Sequence, residues 1–550
     1  MNDSEAIKMF ASARAEEYKT KKISRREFLA QVTAMGVTAS AAYMLIGEPR
    51  PVMAAGHAKQ GGTLRIAAPV RDIREPRMMN SVEMGNIHRG FFEYLVEYQN
   101  DGSFVPMLLE SWAVNDDASQ YTLRIRPGIK WSNGEDFTAE HVAYAIEGWC
   151  DKSVDGNSMQ SRMRSMIDSE TGKATEGAIS VTDPLTIVLK TNRPDITIIP
   201  ALADSPASIA HPDFKPNDLT TLIGTGPYRL VEHDVGVRAV IERDTSREWW
   251  GSSVMGGAVL DRIEYLDFGV DMVSSLAAVE GEEVDMLSET TGEFIQILDG
   301  LGWTKSEVTT GQTIVIRPQQ KAEVDGKVPY SDKRVRRALA LAVDNAVVLE
   351  LGYSDLGTTA ENHHVAPVHP EYAKLEPISR NVEEARRLME EAGMMDFEHK
   401  LMSIDTGWMK DTVDAVAAQL RDAGFKVKRQ VVPSAAFWND WNKFPFSGTN
   451  WSHRPLGVQN LNFAYRSGGS WNESGFANAE FDTLLDKALT IADADERRKL
   501  MFKIETILQE EGVIIQPYWR SLYRHHRPNV IGAEMHVARE IYPYKLGFAA

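Results

Sequence analysis

Hydrophobic and polar residues alternate with a period of two along Gly61-Gly62-Thr63-Leu64-Arg65-Ile66-Ala67-Ala68 and along Tyr121-Thr122-Leu123-Arg124-Ile125-Arg126, which predicts two short strands. The second closes on Pro127-Gly128. Asn133-Gly134 then marks a tight turn, and Thr138 caps a helix that carries Glu140, His141, Val142 and Ile146. Ile187-Val188-Leu189 and Tyr228-Arg229-Leu230-Val231 predict further strands, so residues 100–220 read as short strands with few helices. Beyond residue 317 helical spacing takes over. Asp332 caps a helix with Val335, Leu339, Ala342 and Val343 on one face, ending before Gly352. Asn381-Val382-Glu383-Glu384 has the capping-box pattern, and its helix stops at Gly393. A helix from Asp411 shows Val413, Val416, Ala417 and Leu420, stops at Gly424, and leads to the strand Phe425-Lys426-Val427-Lys428. Helices near 480–491 and 495–511 precede an apolar strand, Val513-Ile514-Ile515. Helices alternating with short strands predict an α/β lobe over about 317–515. No repeat or linker composition interrupts the chain, so closely apposed lobes are expected.

The N-terminus has a different pattern. Ser24-Arg25-Arg26-Glu27-Phe28-Leu29 is followed by an uncharged stretch to Ile46, then Pro49-Arg50-Pro51 and the small-residue site Val52-Met53-Ala54-Ala55. A charged region, a mildly apolar stretch and such a site make a cleavable export signal over residues 1–55. The paired Arg25 and Arg26 resemble a twin-arginine signal, which implies export by the Tat translocase. A membrane anchor is disfavoured by Gln31, Thr33, Thr38 and Ser40 within the stretch. The mature chain is expected to begin near Ala55 or Gly56 and to be soluble in the periplasm.

At 550 residues the chain exceeds one hydrophobic core, and 43% hydrophobic with 25% charged residues is globular composition. A net charge of -18 argues against a nucleic-acid partner. The single cysteine, Cys150, excludes intrachain disulfides and reads as a buried structural thiol beside Trp149. No H-E-x-x-H or G-x-S-x-G occurs, and neither Gly172-Lys173 nor Gly326-Lys327 has the context of a phosphate loop. His363-His364 with His369, and His525-His526, could bind a metal, but surface or loop histidines are the expected reading, and neither metal nor cofactor is expected. Trp408, Trp438, Trp441, Trp451 and Trp471 fall within 64 residues. Trp438-Asn439-Asp440-Trp441 and Asn450-Trp451-Ser452-His453-Arg454-Pro455 interleave rings with polar groups, a composition that suits a solute cleft.

Leu109-Glu110-Ser111-Trp112, followed by the unbroken run from Tyr121 through Trp131-Ser132-Asn133-Gly134-Glu135-Asp136-Phe137-Thr138 to Val142, resembles the signature of the family 5 extracellular solute-binding proteins, the dipeptide/oligopeptide-binding class of ABC transporters. Gly224-Thr225-Gly226-Pro227-Tyr228, Arg334-Val335-Arg336-Arg337-Ala338-Leu339 and Glu480-Phe481-Asp482-Thr483-Leu484-Leu485 extend the resemblance over the mature chain. It implies an α/β, two-lobed periplasmic-binding-protein fold (type II, cluster C-like) with an extra subdomain. Lobe I would comprise about 56–316 plus 516–550, with the subdomain at 100–220, and lobe II about 317–515. The chain would cross near 308–316 and 514–517. The implied function is non-enzymatic: a monomeric periplasmic component captures a small organic solute by hinge closure and delivers it to a permease and ATPase. A metal-chelate (nickel-type) binder with His453 as ligand, or a Tat-exported enzyme, are the alternatives.

The resemblance also shows a departure. Peptide-binding members carry an Asp soon after a Trp in the second lobe to pair with the peptide's amino group, whereas Asn450-Trp451-Ser452-His453-Arg454-Pro455-Leu456 contains no acid. Arg454 facing the cleft would favour an anionic or carbonyl-bearing solute. The expected ligand-binding residues are Asp405, Trp408, Asn450, Trp451, His453 and Arg454 from the second lobe, with Asp72 and Arg74 from the first.

Overall fold

The computed structural model describes residues 3–48 and 58–550, apart from positions 80, 116, 217, 270, 406 and 470. The expected cleavage site at 52–55 lies outside the described residues. One mixed eleven-stranded sheet runs through the molecule. Its first half holds strands Tyr228–Asp234, Arg238–Arg243, Arg262–Leu266, Thr63–Ala67 and Met286–Leu287. The second half holds Phe446–Trp451, His399–Ile404 and Val427–Val432. Between them lie two long antiparallel strands, Thr304–Pro318 and Tyr518–His526. Thr304 faces His526 and Thr309 faces Ser521; the register then shifts, and Thr313 faces Trp519. Past that break the first strand pairs with Phe446–Trp451 instead, Thr313 opposite Trp451 and Pro318 opposite Phe446. A single strand thus begins in one lobe and ends in the other.

The buried cores follow this division. One set of clusters draws on Leu64, Ile66, Ile263, Met286 and Val530 and, separately, on Trp131, Trp149 and Cys150. The other is built from Ile314, Val335, Leu401, Val413 and Phe446, and from Trp451, Phe463, Phe481 and Met501. A four-stranded antiparallel sheet, Leu109–Val114, Gln120–Ile125, Thr186–Lys190 and Ile179–Asp183, packs with the helix Ala139–Trp149 as the first lobe's additional layer.

Three expectations change in detail. The helix starting at Asp332 is two helices, Lys333–Leu341 and Asn345–Tyr353, because the Asp344 carboxylate accepts from the Ala346 and Val347 amides and restarts the helix. Val513-Ile514-Ile515 is buried but not a strand; Ile515 makes one bridge to Ile316. The strand lies just beyond, at Tyr518–His526, where all nine residues are buried despite two arginines and two histidines. The N-terminal residues form three helices, Asp3–Lys19, Arg25–Ala34 and Ala39–Ile46, around their own small core of Phe28, Leu29, Val32 and Tyr43. Ser24 caps the second with a full capping box to Glu27.

One buried charge pair ties the second lobe to its crossing strand. Arg317 Nε donates to Glu473 Oε2 at 2.9 Å, while Thr449 Oγ1 and Trp451 Nε1 donate to Glu473 Oε1 at 2.6 and 2.7 Å. Arg317 and Glu473 side chains are 0% and 3% exposed. Glu473→Ala should therefore cost on the order of 3–5 kcal/mol in urea denaturation, because it strands a buried guanidinium. A loss below 1 kcal/mol would show that the remaining carbonyl partners of Arg317 suffice.

Candidate functional site: the cleft between the lobes

At the register break the two strands leave room for one residue without a side chain. Gly311 donates its N–H to His453 Nδ1 at 2.9 Å. A Cβ on Gly311 would lie 2.8 Å from His369 Nε2 and 3.1 Å from His453 Nδ1, so only glycine permits this approach. Because His453 Nδ1 accepts, the ring's proton sits on Nε2, 3.3 Å from the Tyr98 hydroxyl of the first lobe. The His453 and Tyr98 rings stack at 5.9 Å and 16°. Burial, with Arg26 and His369 nearby, keeps His453 well below its ordinary range, and it is neutral. His364 and His369 are buried as well: burial, with the neighbouring histidines and Arg454, lowers His364 to about 3, and burial, partly opposed by Glu371, lowers His369 to about 4.

Further out, the rim of the cleft is charged and paired. Asp204 of the first lobe receives Arg162 Nε at 2.6 Å from its own lobe and lies 3.4 Å from Arg454 Nε of the other. Burial works to raise the Asp204 carboxyl, but Arg162 and Arg454 outweigh it and hold it at about 2. The Arg162 guanidinium also lies over Phe463 and Trp471 of the second lobe at 5.1 and 5.3 Å. Arg193 bridges to Asp486 at 3.0 Å, and the Ile196 amide donates to the Leu489 carbonyl at 3.1 Å. These contacts describe closed lobes.

A family model described as bacterial extracellular solute-binding proteins, family 5 Middle, matches residues 103–473, more than half the chain. The chain belongs to this family. Heme-binding protein A of Haemophilus influenzae is 22% identical over 467 residues, 76% of this chain and 80% of that protein. The periplasmic oligopeptide-binding protein OppA of Escherichia coli is 23% identical over 494 residues, 83% of this chain and 87% of OppA. The crystal structure of Haemophilus influenzae OppA in complex with the peptide RPPGFSPFR superposes with a TM-score of 0.79 at 19% identity. It covers 90% of this chain and 100% of that one, a match in the two-lobed α/β fold.

Within this family 5 chain the expected site residues separate. His453 and Arg454 lie where the two lobes meet, with Asn450 on the strand that leads to them. Arg454 is not free for a solute anion, however: Asp204 already pairs with it. Trp451 is core, not cleft face; it is 5% exposed, bonded to Glu473 and packed against Trp441 and Trp471. Trp408 lies on the opposite side of the crossing sheet. Neighbouring residues Trp519 and Arg520 point to opposite faces. Trp519 packs by His364 and His369, whereas the Arg520 guanidinium covers Trp408 at 3.9 Å. Asp405, just before the helix carrying Trp408, is exposed. Asp72 and Arg74 pair with each other at the surface, 2.5 Å apart, rather than reaching across. The contributors that sequence reading missed are Tyr98, Arg162, Asp204, Gly311 and Phe463, drawn from separated segments with no shared spacing.

The histidines expected at the surface are interior: His363, His364, His369 and His525 are all buried. A cluster of possible metal donors, Glu135, His141 and His211, stands in the first lobe. Both rings turn Nε2 to Glu135, at 3.3 and 3.1 Å, while their Nδ1 atoms accept from the Thr138 and Asp213 amides. A metal at Nε2 would need a proton on each Nδ1, facing those N–H donors. The geometry fits two imidazoles that each turn a ring N–H to one carboxylate.

The buried, neutral His369 gives a sign-definite pH effect. An unfolded chain takes up its proton below about 6.5, while the folded site refuses it until about 4. This stability is complete above pH 6.5 and lost as pH falls toward 4. Buried Glu93, raised to about 7, acts in the opposite direction, so the test is a difference. Between pH 6 and 4.5, wild-type stability should depend on pH more steeply than that of His369→Gln by about 1.4 kcal/mol per pH unit, one proton. Parallel curves would mean that His369 titrates normally.

Proposed function

We propose that this family 5 protein is the periplasmic solute-binding component of an ABC importer, which closes over a peptide-like or other small organic solute and presents the closed form to a permease and ATPase. The observation that carries the reading is the pairing of Arg454 with Asp204 across a cleft whose floor is the register break at Gly311. Two lobes joined only by strands at such a break can rock against each other, and groups from both meet where a solute would be enclosed. Solute contacts to both walls favour closure, since a ligand shifts the equilibrium by its differential affinity for the two states. The names of the similar proteins, oligopeptide-binding and heme-binding, support a solute carrier rather than an enzyme.

Asp204 draws Arg454 into a contact between the lobes, so Arg454 does not by itself carry a preference for an anionic solute. The walls present stacked rings, a neutral imidazole, a phenol and carbonyls, which suits hydrogen-bonding and cationic groups better. Solute retained by protein isolated from the periplasm, identified by native mass spectrometry and then stripped, should on return reduce the radius of gyration in small-angle scattering. Equal dimensions with and without it would refute hinge capture.

The export reading belongs to the same proposal. Residues 1–55 are read as a twin-arginine signal that is removed to give a monomeric periplasmic protein; among the described residues no helix is long and apolar enough to cross a membrane. Replacing Arg25 and Arg26 by Lys should leave precursor in the cytoplasm, because lysine lacks the planar fork of arginine. Export at the normal rate would point to a general secretory signal instead.

A further inference from the structure

The N-terminal helices do not stand apart from the lobes. Arg14 pairs with Asp493 at 2.7 Å and Glu27 with Arg498 at 2.8 Å, both at the start of the second-lobe helix Ala494–Glu510. The other side holds the first lobe. The Phe104 amide donates to Thr33 Oγ1 at 2.8 Å, Trp112 Nε1 donates to the Ala34 carbonyl at 3.3 Å, and the Tyr43 hydroxyl donates to Asp101 at 2.7 Å. Two glycines record how close the seat is. A Cβ on Gly36 would lie 2.6 Å from the Trp112 carbonyl oxygen, and one on Gly102 would lie 2.6 Å from Arg26 Cγ.

Arg26 itself enters the gap between the walls. Its guanidinium donates to the Asn100 carbonyl and the Tyr98 hydroxyl, each at 2.7 Å, and stands 5.8 Å over the Tyr98 ring. One of its nitrogens is 3.3 Å from His453 Nε2. Among the described residues no carboxylate pairs with it, so its partners are neutral oxygens and a π face. His453 turns its Nε2–H toward the Tyr98 oxygen and so gives Arg26 no acceptor, and the acceptors of the guanidinium are the Asn100 carbonyl and the Tyr98 hydroxyl. These positions form a subsite for a guanidinium or ammonium group.

We propose that in the uncleaved chain residues 3–48 act as an intramolecular clasp, bridging both lobes and filling this cationic subsite with Arg26, so that solute exchange requires the clasp to leave. The same arginine cannot lie in the cleft and be read by an export receptor, so the two events exclude each other. The proposal rests on the cleft being the solute site. Loss of solute-driven compaction would sink that reading while leaving the docking measurements below unchanged.

The test uses the full chain. Hydrogen exchange should show the Phe104 amide and the helix Arg25–Ala34 slowed in the wild type, with at least a tenfold loss of protection in Arg14→Ala/Arg26→Ala/Glu27→Ala. None of the three residues belongs to either lobe's core, and Arg26→Ala alone, with a smaller loss, guards against wider disturbance. A fluorescein-labelled peptide of residues 24–35 should then bind the triple variant at least tenfold more tightly than the wild type, whose site is taken. The same peptide with alanine for Arg26 should bind at least tenfold more weakly. Unprotected helices in the wild type, equal peptide binding by both proteins, or no peptide binding by the released variant would each overturn the proposal.

Discussion

The two strands that cross between the lobes, Thr304–Pro318 and Tyr518–His526, impose the constraint on which the rest of this structure depends. They pair in register up to Thr309, break, and resume at Thr313, so hydrogen bonding is continuous on either side of a short irregular stretch. An unbroken ladder would weld the lobes into one sheet of fixed twist. A shift of register at Thr310-Gly311-Gln312 allows bending there and little elsewhere. The cost is a set of backbone groups that need other partners. Thr310 Oγ1 donates to the Arg520 carbonyl, and the Gly311 amide finds His453. The hinge and the floor of the cleft are therefore the same few residues.

This accounts for the electrostatic character of the site. An imidazole that accepts from a buried amide is fixed in one tautomer and stays neutral, and His453 carries that neutrality into the space between Tyr98 and the second lobe. Charge is confined to the rim, where Asp204 serves Arg162 and Arg454 together. Arg454 is thereby a lobe-to-lobe contact. Such an arrangement stabilises closure without a solute's charge and leaves the interior to rings and hydrogen-bonding oxygens.

Much of this architecture was legible in the sequence. Capping residues such as Asp332, Asn381 and Thr138 announced helices that are present, and the alternation around Leu64 and Leu123 announced real strands. Local chemistry suffices for such elements. It failed at Tyr518–His526 because nine buried residues that include Arg520, Arg524, His525 and His526 do not look like a core strand; their polar groups are satisfied by distant partners such as Gln312, Glu289 and Thr290. The cleft was half legible for the same reason. His453 and Arg454 sit in one motif, but Asp204, Arg162 and Tyr98 become neighbours only when the lobes meet. Trp451 looked like a cleft face because its polar neighbours are visible in sequence, while its partner Glu473 is 22 residues away.

The central claim is that the lobes close through the Asp204 charge cluster about a hinge at Gly311. Spin labels on cysteines introduced at the exposed positions Lys190 and Lys487, one in each lobe, would report it by pulsed electron resonance, since the native Cys150 is buried. The account predicts a short, narrow distance distribution in the parent protein and a longer, broader one after Asp204→Ala, with label mobility within each lobe unchanged. An identical distribution in the two proteins would contradict it.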